Sequence, residues 1–152
     1  NLEMLENLKK WFKFKFEIIF FYNVYGPKQI REGDMATVVG IFENRFKKKQ
    51  ALTVVSPGTQ TRRFTHISDT IQVCYHAWKK NKCSYYTISN KKNYSIKQIA
   101  KMFSPKIKIL PPRKGERYNS SIDTKYMNNK IIKFFGNIDL KDYVRKIVEN
   151  TR

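Results

Sequence analysis

The sequence is poor in the residues that phosphate loops, metal centres and disulfide frameworks require. Only six of its 152 residues are glycine, and none forms a G-x-G-x-x-G or G-x-x-G-x-x-G pattern. This absence excludes a glycine-rich dinucleotide loop within the chain. The two cysteines and two histidines have no metal-ligand spacing among themselves or with carboxylates. We therefore expect no metal site, no disulfide framework and a cytoplasmic location.

Long apolar segments are also missing. The longest apolar run, near Ile18–Tyr22, is far shorter than the roughly 20 residues that cross a bilayer, so we expect no membrane partner. The chain starts at Asn1 rather than methionine, and its first residues already have helical periodicity. We therefore expect a piece of a longer protein, and no targeting segment is recognisable.

Acidic residues are scarce: 12 Asp and Glu face 31 Lys and Arg, for a net charge of +19. One explanation is a protein that binds polyanions through clustered Lys and Arg. The other is the codon bias of an AT-rich genome, since Lys, Asn, Ile and Phe are all abundant. The basic residues are scattered, with only short clusters such as Lys47–Lys49, which favours the second explanation without excluding the first.

Hydrophobic periodicity alternates between helical and extended segments along the chain. Strands are expected at 15–23, 51–55, 61–67, 84–89 and 106–110. Helices are expected at 1–12, from Met35 to Phe46 with Asp34 as cap, after Ser68 or Asp69, from the capping box Ser95–Gln98, near 124–134 and from Asp139. The third of these carries Ile71, Cys74, Tyr75 and Trp78 on one face, which predicts a core face with a buried thiol. The alternation indicates an α/β fold.

Three polar residues have a sequence context that fits a ligand site. Asn23 follows an apolar strand, where ligands of α/β proteins collect, but it also suits ordinary turn chemistry. Arg62 enters a strand, and Arg113 lies in the Pro-framed loop 111–117. Two guanidinium groups from separate loops could bind a diphosphate, although the spacing alone favours two solvated surface charges.

A Tyr-x-x-x-Lys pattern, the acid/base pair of many NAD-dependent short-chain enzymes, occurs twice. The pairs are Tyr75 with Lys79 and Tyr126 with Lys130, about as many as chance predicts for so many Tyr and Lys. Neither pair follows a Ser- or Thr-bearing strand. We therefore assign no catalytic residue within this chain.

Five segments in order resemble the C-terminal half of the extended short-chain dehydrogenase/reductase family. They are FYNVYGP (21–27), DMATVVGIFE (34–43), PGTQTRRFTHISD (57–69), YTISNKKNYSIKQIA (86–100) and LPPRKGERYNSSIDTKY (110–126). The chain is most similar to NAD-dependent nucleotide-sugar epimerases and dehydratases, especially UDP-glucose 4-epimerase-like proteins. The resemblance implies an α/β fold made of the last helix and strand of the NAD sheet, within 1–30, and a small substrate-binding domain, mainly 31–152.

The resemblance also implies roles for individual residues. Substrate contacts are implied for Asn23, Arg62, Arg113, Glu116, Met35 and Val55. Weaker contacts to NAD are implied for Phe21 and Tyr22. The family's usual Asp after the first arginine is Arg63 here, which puts the substrate's identity in doubt.

The resemblance implies an enzyme in which NAD takes a hydride from a UDP-sugar, a keto intermediate forms, and the hydride returns to the other face. The glycine-rich loop and catalytic Tyr-x-x-x-Lys would lie upstream, so we expect this chain alone to be inactive. Family members often form homodimers through a helix like 1–12. Two alternatives stay open: a basic nucleic-acid-binding module, and a non-catalytic sugar-nucleotide binder. The first needs exposed aromatics on a positive stripe, and most aromatics here have the spacing of core residues.

Overall fold

The computed structural model describes residues 1–115 and 131–151. The helices in these residues are α1 (Leu2–Phe12), α2 (Val38–Lys47), α3 (Ile67–Lys80), α4 (Ile96–Phe103) and α5 (Leu140–Glu149). The strands are β1 (Ile18–Phe21), β2 (Val24–Tyr25), β3 (Leu52–Val55), β4 (Thr61–Arg63), β5 (Thr65–His66), β6 (Tyr85–Asn90), β7 (Asn93–Ser95), β8 (Ile107–Leu110) and β9 (Ile131–Gly136). Helices and strands alternate, so the predicted α/β class is confirmed.

The largest sheet is parallel, with strand order β1-β6-β9. All six residues of the middle strand β6 are buried. Val73 and Ala77 of α3 pack on one face of this sheet against Tyr86 and Ile88. Because parallel strands are buried on both faces, β6 is a nearly continuous run of large and β-branched side chains.

A second core joins α2, α4 and α5 to the parallel pair β3–β8. Its buried centre contains Phe42, Leu52, Val54, Ile99 and Val144. The apolar stripe of α5 packs against this cluster, as its i, i+3, i+4 spacing predicts. Two shorter pairs complete the fold: β2 runs parallel to β5, and β4 runs antiparallel to β7.

Several predicted helix starts are confirmed. Helix α1 covers almost all of the predicted segment 1–12. Ser95 and Gln98 form the predicted capping box at the start of α4, with each side chain accepting from the other residue's backbone N–H. Asp139 caps α5 by accepting a hydrogen bond from the N–H of Lys141.

Two predicted caps are wrong. Helix α2 starts at Val38 with Thr37 as its cap, rather than with Asp34. The Thr37 hydroxyl donates to Gln29 while accepting from the N–H of Gly40, so a tertiary contact selects it. Helix α3 is capped by Nδ1 of His66, which accepts from the N–H of Ser68.

The predicted core face of α3 is also wrong. Ile71, Tyr75 and Trp78 are 59%, 59% and 72% exposed, and Cys74 is only partly buried. The face towards the sheet instead contains Val73 and Ala77 together with the polar residues Asp69 and Thr70. The polar side chains are buried because each has a partner: Asp69 Oδ2 accepts from Ile138 N, and Thr70 Oγ1 donates to His66 O.

The helix predicted near 124–134 is wrong over residues 131–134, the part of it that the structure describes. Residues 131–134 belong to strand β9, which pairs with β6 from Tyr85↔Ile131 to Asn90↔Gly136. The remainder of that prediction, 124–130, lies outside the described residues, as does Tyr126 with Lys130.

The division into 1–30 and 31–152 stays a prediction. Strand β1 lies before residue 30, but the other two strands of its sheet, β6 and β9, both come from after it. None of the helices in 1–115 and 131–151 is long and apolar enough to span a membrane. In the same residues no three His, Cys, Asp or Glu side chains group as metal ligands would.

Candidate functional site

A cleft of about 320 Å³ lies where β3, β4 and β8 meet the first turns of α2 and α4. Three of the predicted polar residues line it, namely Asn23, Arg62 and Arg113, together with Val55. The other lining residues are Ala36, Val38, Ile41, Phe42, Thr53, Gln60, Ile96 and Leu110. The volume lies at the small end of the roughly 300–1,000 Å³ typical of ligand pockets.

The parallel pairing of β3 with β8 brings Val55 and Arg113 to the same edge. In the register of this pair Val55 is opposite Leu110, the last residue of β8. Pro111 and Pro112 then end the strand, since proline cannot donate to the ladder, and Arg113 follows in an exposed loop. Both strands thus end at one carboxyl edge, where open α/β sheets bind ligands.

Arg62 reaches the cleft from a different hairpin. It lies on β4 opposite Tyr94 of β7, and its side chain is half-buried. Its Nη1 donates to the carbonyl oxygen of Thr61 at 2.8 Å, which holds the guanidinium close to its own strand. The next residue, Arg63, donates to the carbonyl of Asn90 at 3.4 Å. Alternation along the strand therefore separates the two arginines, and only Arg62 lines the cleft.

Asn23 connects the end of β1 to the β4–β5 segment. Its backbone has a positive φ of 34°, a conformation that asparagine tolerates better than most residues. Its side-chain Nδ2 donates to the carbonyl of Arg63 at 2.8 Å, and its own carbonyl accepts from the N–H of Thr65. Both explanations of Asn23 therefore have support: it has a turn role, and it lines the cleft. An amide carries two N–H donors, so one remains for a ligand.

The start of α4 supports the floor of the cleft rather than offering free donors. The N–H of Ile96 donates to Gln60 O, and that of Lys97 donates to Gly58 O. Gly58 has φ 75°, and an added Cβ would lie 2.7 Å from Val54 Cγ1, so glycine is required there. The turn between β3 and β4 is thus fixed against α4, which positions Arg62.

A buried carboxylate holds the segment that leads into α2. Glu43 accepts from Arg31 Nη2 at 2.9 Å, from Lys47 Nζ at 2.7 Å and from Gln29 Nε2 at 3.3 Å. Burial alone would raise the pKa of Glu43, but the hydrogen bonds from Lys47 and Arg31 lower it below its usual value. Because Gln29 also bonds Thr37, this network fixes the first turn of α2, where Ala36 and Val38 line the cleft.

Other predicted site residues lie elsewhere or are not described. Met35 is 78% exposed and is not part of the cleft lining; its neighbour Ala36 occupies that place. Phe21 and Tyr22 lie at the carboxyl end of β1 and are not among the lining residues of the cleft; Phe21 is 53% exposed and Tyr22 is half-buried. Glu116 lies outside the described residues. The roles given to these four residues stay predictions.

Two polar residues of the cleft were missed, Thr53 and Gln60. Alternation along β3 puts Thr53 on the same face as Val55, and this signal alone could have found it. Gln60 is buried, and its Nε2 donates to the carbonyl of Val55 at 3.4 Å. It lies two residues before Arg62, again at the spacing of one strand face.

The chemistry of the lining suits binding rather than bond breaking. Arg62 and Arg113 provide positive charge, while Val38, Ile41 and Phe42 provide an apolar wall. No carboxylate, imidazole or thiol occurs among the described lining residues, so they contain no general acid or base. The cleft can therefore hold an anionic ligand with an apolar part.

Sequence comparisons match this chain to one protein family and to several of its members. Residues 2–89 match the model of the NAD dependent epimerase/dehydratase family. A Methanocaldococcus jannaschii protein with a provisional assignment as a UDP-glucose 4-epimerase is 25% identical over 154 residues, which cover 96% of this chain and 48% of that protein. UDP-glucuronic acid decarboxylase 3 of Arabidopsis thaliana is 30% identical over 92 residues, covering 58% of this chain and 26% of its own length.

Solved structures show the same fold. One is the UDP-glucose 4-epimerase of Thermotoga maritima, solved with UDP-glucose, which superposes with a TM-score of 0.80 at 22% sequence identity. The match covers 97% of this chain and 49% of the epimerase chain. Another is the UDP-glucuronic acid 4-epimerase of Bacillus cereus, solved with UDP-glucuronic acid and NAD, which superposes with a TM-score of 0.74 at 23% sequence identity. The match covers 98% of this chain and 49% of the epimerase chain.

The chain spans about half the length of these epimerases. Its parallel sheet and helices thus form part of the Rossmann-type fold of these epimerases, as the resemblance predicted. The family match covers more than half of the chain. The chain belongs to the NAD dependent epimerase/dehydratase family.

Proposed function

We propose that this chain is the nucleotide-sugar-binding portion of an NAD-dependent epimerase of the UDP-glucose 4-epimerase type. In this proposal Arg62 and Arg113 bind the diphosphate, and Asn23 donates a hydrogen bond next to it. One observation carries the proposal: these three residues, from three separate parts of the chain, line a single cleft.

The electrostatics of the cleft support a diphosphate as the recognised group. Guanidinium is planar, stays charged and matches phosphate oxygens with paired donors. Two such groups beside one cleft would repel each other without a bound anion, and a diphosphate offers both charge and acceptors. The apolar residues Val55 and Leu110 at the same edge suit the nucleoside end of the ligand.

For NAD we propose that this chain supplies only part of the binding site. When bound, NAD would supply the hydride acceptor of the reaction. The residues of this chain fit only the margin of such a site: β1 offers its carboxyl end, with Phe21 exposed, but the chain has no glycine-rich loop. Phe21 and Tyr22 would therefore pack beside the cofactor, and its phosphates would be held by residues outside this chain.

We further propose that the chain binds ligand but does not turn it over alone, because its cleft contains no acid or base among the described residues. Its contribution would be the fixed position of the substrate, which is a large term in catalysis. Homodimerisation of the intact protein through α1 stays part of the proposal, supported by the exposed side chains of Met4, Trp11 and Phe12.

Calorimetric titration of the chain with UDP tests the proposal. We expect saturable one-to-one binding of UDP, much weaker binding of uridine, which lacks the diphosphate, and no turnover of UDP-glucose. Failure of UDP to bind would contradict the proposal. Salt-sensitive binding of a single-stranded RNA oligonucleotide without UDP binding would instead favour the nucleic-acid module, for which exposed Tyr75 and Trp78 provide aromatic surfaces.

A further inference from the structure

A second pocket, of about 280 Å³, lies between α3 and the end of strand β9. Among the described residues it shares no lining residue with the cleft between β3 and β8. It is lined by residues of β6 and β9 but by none of β1, the strand beside which NAD is proposed to lie. The pocket is therefore separate from both parts of the proposed function.

The polar side chains of this pocket come together because α3 is joined to the end of β9. Asp69, Gln72 and His76 lie three and four positions apart, so they project from one face of the helix. Oδ2 of Asp69 accepts from the N–H of Ile138 at 3.1 Å, which brings Asn137 beside the helix. A contact between residues 69 positions apart thus holds the polar lining in place.

These polar side chains have unused hydrogen-bonding capacity. Asp69 is only 5% exposed, and its Oδ1 has no hydrogen-bond partner among residues 1–115 and 131–151. Within the same ranges, the side chains of Gln72, His76 and Asn137 have no hydrogen-bond partner either. Buried polar groups are normally hydrogen-bonded, so a nearly buried carboxylate that lines a pocket indicates donors from outside the chain.

The rest of the described lining is apolar. Val73 and Ile88 are buried there, and the ring of Phe134 packs against that of His76 with 5.1 Å between centroids. Phe135 also lines the pocket and is 45% exposed. A ligand of this pocket must therefore present C–H surface to aromatic rings as well as polar groups to the side chains of α3.

The charges of the pocket exclude several classes of ligand. No Lys or Arg occurs among its described lining residues, and the carboxylate of Asp69 disfavours an anion. The overall charge of +19 repels small cations, and an ammonium, which only donates, would leave the amide N–H groups of Gln72 and Asn137 unpaired. A hydroxyl group both donates and accepts, so it matches all of the polar side chains.

We propose that the pocket between α3 and β9 binds a sugar ring, either as a free monosaccharide or as the end of a longer glycan. Hydroxyl groups of the ring donate to Oδ1 of Asp69 and exchange hydrogen bonds with the other three polar side chains. The C–H face of the ring packs against Phe134 and Phe135. The volume lies just below the roughly 300–1,000 Å³ of drug-sized ligand pockets, which fits a single ring.

Two-dimensional amide NMR spectra of the chain test the proposal during titration with simple sugars. The probes are the methyl β-glycosides of glucose, galactose and mannose, together with cellobiose and lactose. We expect at least one probe to shift the amides of α3 and β9 saturably, with a dissociation constant of about 1–10 mM because so small a ligand gains little free energy. Tighter binding of a disaccharide would identify a glycan end as the ligand, and equal or weaker binding would identify a monosaccharide.

Matched variants show whether the sugar lies in this pocket. Gln72→Ala should weaken binding about threefold to tenfold through the loss of a neutral hydrogen bond. Gln50→Ala, the same change at an exposed position outside the pocket, should leave the affinity unchanged. Asp69→Asn should weaken binding at least about tenfold, since a charged acceptor is lost. His76→Phe keeps a ring beside Phe134 but removes both nitrogens, so it provides the same test if Asp69→Asn does not fold.

Four results would overturn the proposal. The first is the absence of saturable shifts at α3 and β9 with every one of these sugars. The second is unchanged sugar affinity in the pocket variants. The third is propylammonium chloride occupying the pocket and displacing the sugar, since the ligand would then be a cation. The fourth is displacement of the sugar by UDP, which would place it in the β3–β8 cleft. The sugar titration needs no bound UDP, so its failure and failure of the proposed function are distinguishable.

Discussion

Removing either guanidinium from the cleft should weaken UDP binding in a graded way. A hydrogen bond to a charged group contributes about 1.5–3 kcal/mol, which corresponds to a factor of about 10–150 in the dissociation constant. Arg62 is half-buried and fixed by its bond to Thr61 O, whereas Arg113 is exposed in its loop. We therefore expect Arg62→Ala to weaken UDP binding about 100-fold, and Arg113→Ala about 10-fold because solvent screens its charge.

Calorimetry of UDP binding measures both effects, and two variants serve as controls. Arg62→Lys keeps the charge but loses the planar fork of donors, so an intermediate loss of affinity is expected. Arg145→Ala removes a guanidinium that pairs with Asp142 on α5 and does not line the cleft. It should leave the affinity unchanged.

Two results would refute this reasoning. If both cleft variants bind UDP as tightly as the unaltered chain, neither arginine contacts the ligand. If Arg145→Ala costs as much affinity as Arg62→Ala, the attraction comes from the overall charge of +19 rather than from a site. Rising salt concentration should weaken binding that comes from the overall charge more steeply than binding at a site.

Three further predictions concern stability, measured as the free energy of unfolding in denaturant. Glu43→Gln should lower it by about 1–3 kcal/mol, because the buried bonds from Arg31 and Lys47 lose their charged acceptor. The lowered pKa of Glu43 means that its contribution is complete above pH of about 4.3 and is lost as pH falls below it, so the variant should respond less to acid. Gly136→Ala should cost about 1–3 kcal/mol, since the new Cβ would lie 2.5 Å from Asp69 Oδ2. Burial lowers the pKa of His66, so its contribution is complete above pH of about 6.5 and is lost as pH falls; His66→Asn should remove that part of the pH dependence while still capping α3.

Local signals predicted the elements whose stabilising contacts are themselves local. The capping box at Ser95 and the cap at Asp139 involve residues two or three positions apart, so the sequence pattern contains the whole interaction. The cleft residues Arg62 and Arg113 were predictable for a different reason. Each arginine lies next to a strand end, in a segment that resembles the corresponding segment of one family. This context limits the roles that the residue can have.

Long-range contacts decided the features that local patterns mispredicted. Both Asp34 and Thr37 are good helix caps, and the hydrogen bond to Gln29, eight residues away from Thr37, distinguishes them. For α3, periodicity identified one apolar face, with Ile71, Tyr75 and Trp78, but the face that packs on the sheet carries Val73 and Ala77. The choice of face depends on Asp69, whose carboxylate is satisfied by the N–H of Ile138, 69 residues away. Strand β9 likewise forms because β6 offers it an edge.

A crystal structure of the chain with UDP would show whether one diphosphate lies between Arg62 and Arg113. We predict UDP in the cleft between β3 and β8, with both guanidinium groups within about 3.2 Å of phosphate oxygens. UDP bound elsewhere on the chain, or in the cleft with its phosphates directed away from both arginines, would contradict the claim.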